Sequence, residues 1–427
     1  MGNIHQRGVM TSRNARPDPD IPRRTKSAWG VGALVALGFG CAALFASCDR
    51  SVTAPEVQPE RLDPVLVAQG MQIFRFETFD DERFWTDTAR LHEVVQQVVS
   101  PQVALQVGLK VDADALPQSV KDALAAGKVD LTSPATTVTL LKLGAVVGLK
   151  GTVTQTAAGK DTLTRLGITC AFCHSTVDNS FAPGIGHRQD GYPNRTLNVG
   201  AIVALSPAIP TATKAIFNSW GPGKYDARTN FDGLNIPSVI PPAYGLNGVA
   251  KEVYTGDDTV SYWNAYVAVT QMHGQGSFHD ARLGINITKS PDLVTPLLPA
   301  LRQYQLSLSA PKPAAGSFDA VAAARGQVLF AGAANCSSCH SGSLYTDVNA
   351  GVLHSPAEVG QDAAFANRSV TKRYRTTPLR GLLQHPPYFH DGNASTLADV
   401  VTHYDNLFSL RLSALQKADL VEYLKTL

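Results

Sequence analysis

Two pentapeptides constrain this chain more than anything else in it: Cys170-Ala171-Phe172-Cys173-His174 and Cys336-Ser337-Ser338-Cys339-His340. Both read Cys-x-x-Cys-His, and together they use four of the six cysteines. The spacing has a chemical reason. Two thiols so placed reach the two vinyl groups along one porphyrin edge, and the adjacent histidine then ligates the iron. A pair of disulfides or a four-cysteine zinc site would use the thiols but leave both following histidines without a role. The motifs therefore predict two covalently bound c-type haems, with His174 and His340 as proximal iron ligands.

At 427 residues the chain has room for two or three domains with sizeable cores. Its 37 basic and 35 acidic side chains nearly balance, so composition gives no reason to expect a nucleic-acid partner. The other two cysteines, Cys41 and Cys48, lie in or just after an uncharged apolar run, Ala28 to Ser47, behind Arg13, Arg16, Arg23, Arg24 and Lys26. That order is an export signal or a membrane anchor. Leu44-Phe45-Ala46-Ser47-Cys48 also has the small residues of a lipoprotein box before its cysteine. A cleaved signal, a lipid anchor and an uncleaved anchor all place the body in the periplasm, where bacterial c-type haem is attached.

After a polar tether at 49–60, Asp63-Pro64 offers an N-cap and a first-turn proline for a helix. That helix carries Gly70, Ile73 and Phe74; a later one carries Gly326, Leu329 and Phe330 with the same spacing. In small cytochromes c such a glycine lets the first helix cross the last closely, so the repeat predicts an internal duplication. The copies differ between helix and box: Gly326 precedes its box by 10 residues and Gly70 by 100. The first copy thus holds an insertion of roughly ninety residues, the size of a small domain. Helices are expected there at 82–99 and 117–126, with an apolar run at 138–149. The expected fold is mainly α: two cytochrome c-like haem domains, at 61–310 and 318–427, with a helical insertion at about 75–165 in the first. Residues 1–48 are the export or anchor segment.

The C-terminal part reads Thr377-Pro378-Leu379-Arg380-Gly381, then Pro387-Tyr388-Phe389-His390-Asp391-Gly392, then Thr396-Leu397-Ala398-Asp399-Val400-Val401-Thr402-His403-Tyr404. This resembles the bacterial dihaem cytochrome c peroxidase and MauG superfamily over about residues 320–427. The first half matches in outline, through its box and the degenerate stretches Pro241 to Leu246, Tyr254 to Asp257 and Tyr262 to Asn264. The resemblance implies that the distal ligand of the second haem lies fourteen residues after His390, which is Tyr404. Classical peroxidases of the family have methionine there and MauG has tyrosine, whose phenolate favours the ferric and higher states. His403 is the adjacent alternative. His390 is expected to bond a haem propionate or nearby backbone, and Arg380 and Arg375 are candidate propionate partners.

For the first haem, Met272 or His273 could close the distal side, with His187 and His279 as further candidates; His92 reads as a surface or core histidine. Trp220 and Trp263 are candidate electron relays. The superfamily also holds a calcium ion between its haems, and Asn194, His385 and Pro387 fall at roughly its ligand positions. Three functions are open to such a chain. One is a peroxidase- or MauG-type oxidoreductase with its catalytic centre at His174. The second is a carrier with both haems six-coordinate. The third is an oxygenase on a hydrophobic substrate. The expected partners are a small cytochrome, a cupredoxin or a quinol-side donor, with the membrane reached through the N-terminal segment and no nucleic acid.

Overall fold

Six helices of ten residues or more carry the architecture among the described residues, which are 57–427 of this computed structural model. They are α1 (Pro64–Phe76), α2 (Val260–Thr270), α3 (Leu298–Ser307), α4 (Ala320–Ala331), α5 (Leu397–Phe408) and α6 (Ala414–Leu424). The described residues are mostly helical, with five small two-stranded sheets among them. The export or anchor segment at 1–48 lies outside the described residues. Among those described, no helix is long and apolar enough to cross a membrane.

Local chemistry sets the helix starts. The Asp63 carboxylate accepts from the Val65 amide at 2.8 Å, and Pro64 occupies the first turn of α1. Helix α5 opens on a capping box: Thr396 Oγ1 accepts from the Asp399 amide at 3.1 Å while Asp399 Oδ2 accepts from the Thr396 amide at 2.8 Å. Ser413 and Gln416 do the same for α6.

Helices α1 and α3 cross where Gly70 meets Ala300 and Tyr304: a Cβ on Gly70 would sit 2.0 Å from the Ala300 carbonyl oxygen and 2.7 Å from Tyr304 Cβ. Helices α4 and α6 repeat this at Gly326, where a Cβ would lie 2.0 Å from Asp419 O and 2.8 Å from Tyr423 Cβ. The aromatic partners repeat too, Phe74 on Tyr304 at 5.4 Å and Phe330 on Tyr423 at 5.2 Å between ring centroids. Both phenylalanines are buried, each contributing about 1.5–3 kcal/mol by transfer from water.

The residues between α1 and the first box are not simply helical. The expected helix over 82–99 is broken into a wide turn, Arg83–Thr88, and a short helix, Leu91–Gln97, because Arg90 adopts a left-handed φ of 55°. The apolar run at 138–149 splits between a helix, Pro134–Lys142, and a strand. That strand, β1 (Leu149–Gln155), pairs antiparallel with β2 (Asp161–Ile168). A helical insertion is therefore corrected to a mixed one. The polar–apolar alternation of Thr152-Val153-Thr154 and Thr162-Leu163-Thr164, rich in β-branched residues, favours strand, and Gly159 at φ 77° closes the turn. The insertion has its own core, with Trp85, Leu91, Val138, Leu141, Leu163 and Leu166 in one cluster.

The two halves join through a linker between α3 and α4 but do not separate as contact units. Tyr244 Oη donates to Gly381 O at 3.0 Å, and the Val239 amide donates to His390 O at 2.7 Å. Arg368 reaches across to Asp226 at 2.9 Å and Asp232 at 2.6 Å.

Candidate haem sites

A cavity of about 1230 Å³ is lined by both Cys-x-x-Cys-His boxes, more than the roughly 300–1,000 Å³ of a single ligand pocket. Its walls are mainly apolar, the lining a porphyrin face requires. None of the four described cysteines forms a disulfide. Among the described residues, the one cluster of potential metal ligands holds Cys339 with Asp347 and His354, so the boxes do not combine into a four-cysteine site. Burial pushes the thiols of Cys170 and Cys173 up to about 12 and that of Cys336 up to about 11.

Both box histidines are fixed by the same device. His174 Nδ1 lies 3.1 Å from Pro241 O, and His340 Nδ1 lies 3.0 Å from Tyr345 O. A carbonyl can only accept, so Nδ1 carries the proton and the Nε2 lone pair is left for a metal. Burial holds both imidazoles neutral, bringing His174 down to about 4. These residues fit a haem at each box.

Helices α2 and α5 both line the cavity, and they present the same positions to it. Counted from their N-caps Thr259 and Thr396, the fourth, fifth, eighth and twelfth residues line the cavity in each. In α5 these are Val400, Val401, Tyr404 and Phe408; in α2 and its cap they are Trp263, Asn264, Val267 and Gln271. Valine thus stands where the other helix presents tyrosine. Tyr404 lies deep beside Cys336 and Cys339, and burial pushes its hydroxyl up to about 12. His403 does not line the cavity; its Nε2 faces Val359 O at 3.0 Å.

Met272 and His273 also line the cavity, just past the end of α2. Met272 is buried in the α1–α3 core, and its carbonyl accepts from Trp85 Nε1 at 3.1 Å. His273 stacks on Phe84 at 3.6 Å, and burial lowers it to about 4. His187 and His279 are exposed and away from the cavity, bonded to Asp114 and Asn286. His92 does not line the cavity either. Trp220 donates to Asn235 Oδ1 at 2.8 Å and Trp263 stacks on Tyr266 at 5.1 Å; both line the cavity.

The expected acidic-group partners are redistributed. Arg380 Nη1 donates to Gly245 O at 3.0 Å, and its side chain is not among those lining the cavity. Arg375 does line the cavity, donating to Val253 O at 3.0 Å and Glu252 O at 3.1 Å. His390 also lines it, but its ring bonds Tyr374 Oη at 3.2 Å rather than backbone. Sequence reasoning missed Arg195, which lines the cavity and donates from Nη2 to His385 O at 2.8 Å. It also missed His354, clamped by Asp347 at 3.0 Å and Glu358 at 2.8 Å.

Two of the three expected calcium-ligand positions, Asn194 and His385, meet other partners in this structure. The His385 carbonyl is committed to the Arg195 guanidinium. Asn194 Nδ2 donates to Gly108 O at 2.9 Å, and its Oδ1 accepts from Thr196 Oγ1 at 3.0 Å. A calcium ion, which takes six to eight oxygen ligands with waters among them, would here share the His385 carbonyl with a guanidinium of like charge.

Against known proteins, the chain is 33% identical over 123 residues to the methylamine utilization protein MauG of Methylorubrum extorquens. The chain is similar to the MauG/cytochrome c peroxidase-like superfamily. The match covers 25% of this chain and spans about a third, 34%, of that relative's length. Two solved structures show partial likeness. One is hydrazine synthase of Kuenenia stuttgartiensis pressurized with xenon, with 18% identity, 45% of this chain, 72% of that one and a TM-score of 0.33. The other is a MauG-like protein associated with microbial copper homeostasis, with 19% identity, 44% of this chain, 73% of that one and a TM-score of 0.31. No family model matches the chain.

Proposed function

We propose that the chain is an exported dihaem c-type cytochrome working as a peroxidase- or MauG-type oxidoreductase. An oxidant of the peroxide or dioxygen class meets the first site, and the second site relays electrons from a small redox protein or a quinol-side donor. The observation that carries the reading is the shared register of α2 and α5, with Val267 at the place of Tyr404. An isopropyl side chain has no lone pair to give a metal; a phenol oxygen has.

When bound, a c-type haem would supply an iron that exchanges single electrons and takes up a small oxidant. The protein's own groups do the rest. His174 and His340 keep their Nε2 lone pairs through bonds to Pro241 and Tyr345. Tyr404, whose buried hydroxyl keeps its proton unless a metal cation stabilises the phenolate, would close the second site and favour its ferric state. Around Val267, the amides are already held: Asn264 donates to Gln305 at 2.6 Å, and Gln271 accepts from Tyr225 and donates to Asn230 at 3.0 Å. They line that wall without reaching across it.

A second reading, a carrier with both haems six-coordinate, is favoured by Met272 and His273 lining the cavity beyond α2. Rapid mixing with hydrogen peroxide separates the two. The enzyme reading expects one Soret component to shift, the shift to vanish in His174→Gly, and Val267→Met to slow it by closing the site. Peroxide leaving the spectrum of the dihaem protein unchanged supports the carrier. Denaturing mass spectrometry must also show two haem additions per chain; one addition contradicts both readings.

A further inference from the structure

The two halves meet beside both boxes, and buried guanidiniums hold that seam. Arg195 follows the first box closely: the Asn194 amide donates to Cys173 O at 2.9 Å. Gly223 packs so near that a Cβ there would lie 2.6 Å from Arg195 O, which fixes this stretch of backbone. From that anchor the side chain crosses to His385 O in the other half. Arg375 crosses the opposite way, from the second half to the carbonyls of Glu252 and Val253.

Like Arg375, Arg195 meets carbonyl oxygens rather than a carboxylate, but Arg375 bonds through all three of its guanidinium nitrogens. Arg368 pairs with Asp226 and Asp232, Arg188 with Asp112 and Arg75 with Asp190. Among the described residues Arg195 has no carboxylate partner, and its Nε and Nη1 are buried without any acceptor. Its titratable neighbours are instead the phenols of Tyr254, Tyr244 and Tyr388. A buried positive charge with no counter-charge in its own chain is costly unless an anion is supplied from elsewhere. The adjoining cavity, which both boxes line, is where a haem carboxylate would enter. The same charge bars a divalent cation from His385 O, since like charges at that range repel.

We propose that Arg195 stands in place of a calcium ion between the two haem sites. It ties the first box to the second half, and it supplies a fixed positive charge that cannot be chelated. The inference needs haem at both boxes but not an open first site. Two low-spin haems would end the peroxidase-type reading and leave this one intact.

The test uses the dihaem holoprotein. Calcium is counted by elemental analysis. Spectra, melting and both midpoint potentials are then compared after dialysis against EGTA and after adding millimolar calcium chloride. Less than stoichiometric calcium is expected, with all three properties unmoved. Arg195→Gln should lower the midpoint of at least one haem, because a nearby cation stabilises the reduced, less positive iron. Arg195→Lys, keeping the charge, should restore most of it. One calcium per chain with spectral or thermal loss on EGTA overturns the proposal, as do Arg195→Gln midpoints equal to the wild type. If Arg195→Gln fails to fold, the calcium measurements on the unaltered protein still decide.

Discussion

Gly70→Ala tests the helix crossing that sets the first half. The new methyl carbon would start 2.0 Å from Ala300 O and 2.7 Å from both Ala300 C and Tyr304 Cβ. To regain an ordinary 3.4 Å contact, α1 and α3 must part locally by about an ångström and a half. Backbone cannot swing aside as a side chain can, so the overpacking cost belongs at the upper end of the usual range, about 3 kcal/mol. Alanine's better helix propensity returns about 1 kcal/mol, leaving a net loss of about 2 kcal/mol. With an unfolding entropy of about 2.1 cal/mol/K per residue over 427 residues, Tm should fall by about 2 °C. The strain also reaches the box, since Thr169 Oγ1 bonds Arg75 O at the end of α1 at 3.2 Å. Thermal melting of the holoprotein, followed by far-ultraviolet dichroism and Soret absorbance, measures both effects. Val65→Ala, at a 64% exposed position of the same helix, is the control and should change stability by less than about 0.5 kcal/mol. A Gly70→Ala protein as stable as the wild type would refute the reasoning.

Three other outcomes are expected from the geometry. Tyr404→Phe should turn the second haem high-spin or water-ligated in its electronic spectrum, while His403→Ala should leave its spin state alone and cost about 1 kcal/mol for the lost bond to Val359. Arg368→Gln should destabilise the chain by roughly 3–5 kcal/mol in denaturant titration, because it strands the buried Asp226 carboxylate at the junction of the halves. Asp81, buried beside Glu82, is pushed up to about 9, so the folded chain holds a proton that the unfolded chain releases above about pH 4. Its contribution to stability therefore falls as pH rises from there to about 9. Asp81→Asn should lack that fall and gain steadily on the wild type, as read from Tm against pH.

The start of α1 and both boxes were legible because they are local. Asp63-Pro64 and Cys-x-x-Cys-His each need only a few neighbouring residues to state their chemistry. The hairpin β1–β2 was not legible in the same way, since its apolar opening at 138–149 is equally consistent with a helix until the Thr-Val-Thr alternation beyond it is weighed. Val267 was within reach: aligning the caps Thr259 and Thr396 places it opposite Tyr404, whereas side chains able to ligate iron draw the eye past it to Met272 and His273. Arg195 carried no local signal. Its role depends on His385, 190 residues away, and on the absence of a nearby acid, which only the packing of the two halves reveals.

The central claim is that the first site is open at Val267 and the second closed by Tyr404. Low-temperature electron paramagnetic resonance of the resting ferric protein, with near-infrared magnetic circular dichroism on the same sample, reads the axial ligands directly. The account predicts one high-spin haem assigned to the first site and one low-spin haem with histidine–tyrosinate character, the latter lost in Tyr404→Phe. Two low-spin haems in every redox state, unaltered by cyanide, would contradict it.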